Sequence, residues 1–174
     1  MILVLVAGPS GAGKDSLLNA AREVFRDDPR ISFVRRVITR PVDPGGEDHE
    51  PVTEAEFDAR AYALSWSAHG LRYGIPAEAL NAPVTVANVS RAVIAEAAQR
   101  YQVRVIEITA SPEILNARLV ARGRENTGDV ALRLARSVAV PGGVAVTKVW
   151  NDGTLADGVA RFIAALRYVL DERA

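Results

Sequence analysis

The stretch GPSGAGKDSLL, residues 8–18, has the residue types and spacing of a phosphate-binding loop. Its glycines permit the backbone angles that wrap main-chain N–H groups around an anion, and the helix that follows adds its dipole. Lys14 is one of only two lysines in a chain with 19 arginines, and its small ammonium group fits between phosphate oxygens. We therefore predict that a nucleotide's phosphates are bound by Gly8, Pro9, Ser10, Gly11, Ala12, Gly13 and Lys14.

Asp15 stands where such a loop usually has a serine or threonine hydroxyl that contacts magnesium. A carboxylate beside a triphosphate is repelled unless a cation lies between the two groups. We hypothesise that Asp15 holds Mg²⁺, directly or through water, with Ser16 as a possible hydroxyl partner. The alternative is an ordinary carboxylate in the first turn of a helix, stabilised by the helix dipole by about 0.3–1 kcal/mol.

A second group of arginines surrounds the polar, glycine-containing segment 122–129, which has the composition of a small lid. Two of them, four residues apart, share one face of a predicted helix, one follows in the lid, and two, three residues apart, lie on the next predicted helix. Such a group suits phosphoryl transfer, because negative charge is spread over the equatorial oxygens in the transition state. We predict that Arg122 and Arg133, together with Lys14 of the loop, are catalytic and that Arg118 binds the nucleotide. The alternative is a set of solvated helix faces. The full group is Arg118, Arg122, Arg124, Arg133 and Arg136.

The apolar run Ile2–Ala7 is typical of a central parallel strand that is covered on both faces. Further strands are predicted within residues 31–38 and at 84–88, 103–109 and 146–150. Helices are predicted after the loop and at 91–100, 112–122, 130–138 and 155–170. This alternation predicts an α/β fold with a parallel sheet flanked by helices.

Residues 40–83 interrupt the alternation and contain most of the prolines. The one helical signal in this segment is the capping-box pattern Thr53–Glu56. We interpret the segment as an inserted substrate flap. Arg40, in the stretch ITRP, is the best candidate ligand for an acceptor phosphate, whereas Arg35 and Arg36 can be explained as surface charges.

The stretch GGEDH follows Arg40 within the same predicted flap. Its last three residues, Glu47, Asp48 and His49, could bind sugar hydroxyls. A solvated surface run is the alternative, because most acidic stretches are exposed.

The composition limits the possible functions. With 174 residues and 49% hydrophobic residues, we expect one domain spanning residues 1–174. The 21 basic and 21 acidic residues cancel, which argues against nucleic acid or an anionic membrane as a partner and leaves a small molecule. The chain has no cysteine, its opening apolar run is too short to span a bilayer, and no charged leader precedes it. We therefore expect a cytoplasmic protein, of an oligomeric state that the sequence leaves open.

Several motifs resemble the guanylate-kinase-like branch of the P-loop kinases. These are GPSGAGK for the nucleotide loop, TRP for the acceptor segment, WSAHGLRYG for the flap, RLVARGR with RLARS for the lid, and VWND for the last strand. The resemblance covers nearly the whole chain and implies a P-loop NTPase fold, with ATP and Mg²⁺ as cofactors. It also implies that Asn151 lies where the family holds adenine.

Departures from that pattern indicate a different acceptor. Ser65 replaces the acid that reads guanine, and the stretch NVSRAV lacks the family's paired aspartates. The stretches GKDS, GGEDH and NVSRAV instead resemble the ribose 1,5-bisphosphate phosphokinases of phosphonate breakdown. That resemblance implies ATP-dependent formation of 5-phospho-α-D-ribose 1-diphosphate. It also implies a sugar-phosphate site formed by Arg40, Tyr73, Ser90 and Arg91.

Two alternatives stay open from the sequence. One is a guanylate-kinase-like nucleoside monophosphate kinase, and the other is a non-catalytic interaction module of the same fold. Such modules tend to lose the loop lysine and the lid arginines, both of which this chain retains. No side chain stands out as a general base. Transfer to a phosphate needs none, because a phosphate monoester is largely dianionic at neutral pH.

Overall fold

The computed structural model describes residues 1–41, 47–121 and 140–172. Its strands are β1 (Ile2–Ala7), β2 (Ile31–Phe33), β3 (Val37–Ile38), β4 (Glu50–Pro51), β5 (Tyr62–Ala68), β6 (Leu71–Pro76), β7 (Val84–Asn88), β8 (Gln102–Thr109) and β9 (Ala145–Trp150). Its α-helices are α1 (Lys14–Val24), α2 (Glu54–Asp58), α3 (Ile94–Arg100), α4 (Pro112–Ala121) and α5 (Leu155–Asp171). Short 3-10 turns cover Ala77–Ala79 and Arg91–Val93.

The larger sheet is parallel throughout and has the strand order β2-β7-β1-β8-β9. β1 lies between β7 and β8, and all six of its residues are buried. A strand covered on both faces needs a continuous apolar run, so the prediction for this segment is confirmed. The register pairs Val6 with Asn88, which brings the loop after β1 next to the residues that follow β7.

Two apolar cores lie on opposite faces of this sheet. Even-numbered residues of β1, such as Val4, pack with Leu17 of α1 and Phe162 of α5. Odd-numbered residues, such as Leu5, pack with Ile94 of α3 and with Ile75 of β6. The predicted fold, a parallel α/β sheet with helices on both faces, is confirmed. The second face is also covered by the flap, which the periodicity of the sequence does not reveal.

The predicted strand within residues 31–38 is divided between two sheets. β2 belongs to the parallel sheet, whereas β3 belongs to a four-stranded sheet with the order β4-β3-β6-β5. Val34 still donates to the carbonyl of Val86, and the chain then leaves the parallel sheet through Arg35 and Arg36. We call this second sheet, with helix α2, the flap, since most of it lies within the segment 40–83.

The flap contains three strands that the sequence analysis did not predict, β4, β5 and β6. β5 and β6 form an antiparallel hairpin, and the turn residues His69 and Gly70 both have positive φ, of 54° and 73°. Two successive residues with positive φ are the signature of a tight hairpin turn. The predicted capping box is confirmed: the Thr53 hydroxyl accepts from the Glu56 N–H, and the Glu56 carboxylate accepts from the Thr53 N–H.

The predicted helix at 112–122 corresponds to α4. The predicted lid at 122–129 and the predicted helix at 130–138 lie outside the described residues. In the described ranges, none of the helices has both the length and the apolar character that crossing a membrane requires.

Candidate active site

The loop between β1 and α1 has the backbone that the sequence predicts. Gly8, Gly11 and Gly13 have φ values of 150°, 82° and 87°. A Cβ atom on Gly8 would overlap the carbonyl oxygen of Ile108, and one on Gly13 would lie 2.6 Å from the Asn151 amide nitrogen. The loop is therefore pressed against the sheet. The N-cap residue of α1, Gly13, has no side chain that could accept from the first N–H groups of the helix. Such N–H groups at the start of a helix can bind an anion.

The side chain of Lys14 folds back over the loop. Its Nζ donates to the carbonyl oxygens of Gly8, at 2.8 Å, and Pro9, at 3.0 Å. Burial lowers the pKa of this ammonium to about 8, with further lowering by the positive charges of Arg36 and Arg91. A bound triphosphate would place negative charge beside this ammonium group and favour its protonated form.

Asp15 is exposed in the first turn of α1, and its Oδ1 accepts from the Asn88 amide at 3.2 Å. Ser16 is exposed beside it. Within the described residues, no cluster of three or more His, Asp or Glu side chains is arranged to hold a metal. Mg²⁺ needs no such cluster, because it commonly binds one or two carboxylates, substrate phosphates and water. A single carboxylate beside the phosphate loop fits that requirement.

A second layer of side chains holds the loop from behind. The buried Asn151 amide donates to the Ala12 carbonyl at 2.8 Å, and Arg118 donates to the carbonyl oxygens of Asn151 and Gly11. We predicted that Asn151 and Arg118 contact the nucleotide. In the structure their donors contact main-chain carbonyls, and Asn151 lies buried between the loop and Gly158 of α5. The contact of both residues with the nucleotide stays a prediction.

The phosphate loop opens into a cleft of about 570 Å³. One side is formed by the loop, Lys14, Asp15 and the residues after β7; the other side is formed by the flap. The structure thus brings together Lys14, Asp15, Tyr73, Ser90 and Arg91 from our predicted set. The cleft is lined by Gly8, Pro9, Ser10, Lys14, Asp15, Arg36, Glu47, Trp66, Ala68, His69, Tyr73, Asn88, Val89, Ser90, Arg91 and Ala92.

Arg91 and Ser90 occupy the side of the cleft next to the loop. The main-chain N–H of Val89 donates to the Val6 carbonyl at 3.0 Å, which fixes this segment beside the end of β1. Arg91 forms an ion pair with Glu107 of β8, and both side chains are about one-fifth exposed, at 19% and 21%. The pair holds the cation of Arg91 in the lining of the cleft, beside the phosphate loop.

The flap side of the cleft has an aromatic floor. Trp66 and Tyr73 stack with their ring centroids 5.4 Å apart and their planes 5° apart. The guanidinium of Arg36 lies over both rings, at 5.2 Å from the Tyr73 centroid and 5.8 Å from the Trp66 centroid. Our interpretation of Arg36 as a surface charge is wrong, because the residue is only 8% exposed.

Comparisons with known proteins agree with this geometry. No protein-family model matches the chain. Ribose 1,5-bisphosphate phosphokinase PhnN of Acidiphilium cryptum is 51% identical, and the match covers 94% of this chain and 91% of that protein. The protein of the same name from Pseudofrankia inefficax is 52% identical, with coverage of 97% and 90%.

The chain belongs to the ribose 1,5-bisphosphate phosphokinase family. Among solved structures, the guanylate kinase of Anaplasma phagocytophilum matches with a TM-score of 0.66 at 20% identity, over 97% of this chain and 85% of that one. Because the identity is only 20%, this match bears on the fold alone. It confirms the P-loop kinase fold. The predicted family resemblance is therefore correct.

Two residues that we predicted as ligands of the acceptor, Arg40 and His49, are not among the residues that line the cleft. The Nε of Arg40 is buried and has no hydrogen-bond partner in the described part of the chain. His49, which we predicted as a possible sugar ligand, is 2% exposed, and its ring nitrogens contact the carbonyl oxygens of Glu47 and Arg40. His49 thus ties together the two ends of the segment between Arg40 and Glu47.

The predicted catalytic residues Arg122 and Arg133, together with Arg124 and Arg136, lie outside the described residues.

Two further charged residues of the site, Glu107 and Arg36, were not predicted from the sequence: Glu107 was missed, and Arg36 was interpreted as a surface charge. Neither residue carries a local signal, because each acquires its role from a partner at least 11 positions away. The signal that could have indicated an ion pair of Arg36 is that Arg35 and Arg36 stand shortly before a predicted flap that is rich in acidic residues.

Proposed function

We propose that this protein transfers the γ-phosphoryl group of ATP to the 1-phosphate of ribose 1,5-bisphosphate, giving ADP and 5-phospho-α-D-ribose 1-diphosphate. The observation that carries the proposal is a preformed phosphate loop that opens into a cleft lined by arginines and aromatic rings. The names of the relatives support the choice of acceptor. ATP and the sugar phosphate are the small-molecule partners, and the cytoplasm, where ATP is abundant, is the proposed location.

The loop supports binding of the donor. Main-chain N–H groups at the start of α1 surround the β-phosphate, and Lys14 exchanges its two carbonyl contacts for phosphate oxygens. Mg²⁺ held by Asp15 would neutralise charge on the β- and γ-phosphates. Asn151 and Arg118 act as positioning residues, since they hold the loop carbonyls from behind.

Guanine is a poor fit for the acceptor side. Ser65, at the position where guanylate kinases have an acid, is exposed and does not line the cleft. The acids among the described lining residues are Asp15 and Glu47, and Glu47 is already paired with Arg36. A base whose polar edge finds no partner is discriminated against by several orders of magnitude.

The reaction needs alignment rather than proton removal. An oxygen of the 1-phosphate attacks the γ-phosphorus in line, while the bond from that phosphorus to the β–γ bridging oxygen breaks and ADP leaves with the electron pair. Ser90 and Arg91 stand beside the loop and orient the attacking phosphate, with Tyr73 contributing from the flap. Arg122 and Arg133 are our proposed stabilisers of the transferring group.

A panel assay tests the proposal. The protein is incubated with ATP, Mg²⁺ and either ribose 1,5-bisphosphate, GMP or no acceptor, and the products are identified by phosphorus NMR. We expect a new diphosphate signal with the sugar bisphosphate alone. Turnover of GMP without turnover of ribose 1,5-bisphosphate would contradict the proposal and favour a nucleoside monophosphate kinase. A Lys14→Met variant in the same assay excludes a contaminating kinase.

A further inference from the structure

Arg36 is a buried cation inside the cleft, and the reaction described above gives it no role. Its side chain is 10% exposed, while that of the preceding residue, Arg35, is 56% exposed. Both arginines follow β2, at the point where the chain passes from the parallel sheet to the flap. Arg35 pairs with Asp48 at the surface, whereas Arg36 turns toward the phosphate loop and is close enough to lower the pKa of Lys14.

Glu47 is the partner of Arg36 in the structure. The Nε of Arg36 donates to Oε1 of Glu47 at 2.7 Å, and its Nη2 donates to Oε2. Two parallel donors on two oxygens are also the arrangement in which a guanidinium binds phosphate. A buried ion pair contributes little to stability compared with an apolar pair of the same size, so stability alone does not account for this pair.

The aromatic floor holds Arg36 in place independently of Glu47. The guanidinium lies over the stacked rings of Trp66 and Tyr73, at 5.8 Å and 5.2 Å from their centroids. These cation–π contacts do not involve the carboxylate, so we expect them to remain when Glu47 is replaced. Arg36 therefore keeps its fork directed into the cleft, where Glu47 also lies.

The charges of the cleft suggest which ligand could replace Glu47. The acceptor in the proposed reaction carries two phosphates, and only its 1-phosphate can lie against the γ-phosphate of ATP. Arg91 and Lys14 stand on the loop side for the reacting groups. The second phosphate needs a cation on the flap side, and among the described lining residues Arg36 is the arginine that the flap side supplies.

We propose that Arg36 binds the 5-phosphate of the acceptor and that this phosphate displaces the carboxylate of Glu47 from the guanidinium. In the absence of acceptor, Glu47 occupies the place of the anion and keeps the buried arginine paired. This inference rests on the proposed function, because it assigns the second phosphate of the same substrate.

The test compares two acceptors that differ only in the 5-phosphate, ribose 1,5-bisphosphate and α-ribose 1-phosphate. The decisive variant is the double substitution Arg36→Gln with Glu47→Gln, which removes the cation without leaving a buried unpaired carboxylate. We expect the ratio of the two kcat/KM values to fall by about 100-fold or more, because two charge-assisted hydrogen bonds are lost. The KM for ATP should stay within about twofold.

The single variant Glu47→Gln tests displacement. A neutral amide competes less well for the guanidinium than a carboxylate does, so the KM for ribose 1,5-bisphosphate should fall about fivefold. Inhibition by ribose 5-phosphate, which has the second phosphate but lacks the reacting one, should strengthen in this variant and weaken in the double variant. An increase in the KM for the bisphosphate would overturn the displacement step.

Arg35→Gln is the matched control, since it removes a neighbouring arginine that does not line the cleft. It should leave the acceptor ratio unchanged. If the double variant keeps the discrimination of the unchanged protein, the inference about Arg36 is wrong while the proposed function stands. If the unchanged protein turns over neither sugar, the proposed function fails, and the inference fails with it.

Discussion

The phosphate loop and the flap face the same cleft, but they are built in different ways. The loop is one continuous segment, Gly8–Lys14, and its shape is enforced by glycine geometry and by contact with the sheet. The flap side is assembled from separate segments that meet through the Arg36–Glu47 ion pair and the Trp66–Tyr73 stack.

This difference suggests a division of labour. In our proposal, main-chain groups of the loop bind the nucleotide's phosphates, and their position depends little on single side chains. Side chains that line the flap side of the cleft are proposed to bind the acceptor. Substitutions on the two sides should therefore separate the KM for ATP from the KM for the sugar.

The largest expected effect comes from Lys14 on the loop side. Lys14→Met should lower kcat by about 1000-fold, because a cation that stabilises the transferring phosphoryl group is lost in a site that excludes water. Steady-state assays with both substrates at saturation measure the loss. Lys14→Arg should not restore activity, since a guanidinium is too large for the space between the loop carbonyls. Full activity in Lys14→Arg would mean that charge alone matters on this side.

Asn151 tests whether the loop depends on its support from behind. Asn151→Ala removes the donor to the Ala12 carbonyl, and we expect a loss of about 1–3 kcal/mol in the free energy of unfolding. The KM for ATP should rise more than tenfold while the KM for the sugar stays constant. Urea denaturation and initial-rate kinetics provide both measurements. Asn116→Ala, on the exposed side of α4, is the control that should change neither.

Trp66 tests the opposite side. Trp66→Leu removes one ring of the aromatic floor under Arg36, and we expect the KM for the sugar to rise about tenfold with the KM for ATP unchanged. The matched control is Trp150→Leu, at the 49% exposed end of β9, which should leave both values unchanged. Equal changes in the two KM values for Trp66→Leu would contradict the division between loop and flap.

The smallest expected effect is a pH dependence of nucleotide binding. The pKa of Lys14 is lowered to about 8 by burial, and a bound triphosphate should raise it. The complex then binds more protons than the free protein near pH 8, so affinity for ATP should decrease as the pH rises above 8. Calorimetry in buffers of different ionisation enthalpy should detect uptake of about half a proton at pH 8. Lys14→Met should abolish the uptake, and release of protons would contradict this reasoning.

Local patterns account for what was predicted correctly. The apolar run of β1, the glycines after it and the stripe of α5 each act on neighbours within a few residues, so periodicity and spacing reveal them. The hairpin of β5 and β6 escaped prediction because its turn is His69–Gly70 and lacks the Asn-Gly or Asp-Gly pair that usually marks such a turn. The division of residues 31–38 between two sheets likewise follows from the partners Val86 and Gly74, which lie far along the chain.

The sequence by itself determined the parallel sheet, the phosphate loop and the family, because these depend on short-range backbone preferences and on contiguous motifs. Only the tertiary structure decided which charges are buried and what they contact. Arg35 and Arg36 are adjacent and chemically identical, yet one pairs at the surface and the other enters the cleft. The cost of burying a charge depends on partners brought together by folding, and for Arg36 these are Glu47, Trp66 and Tyr73.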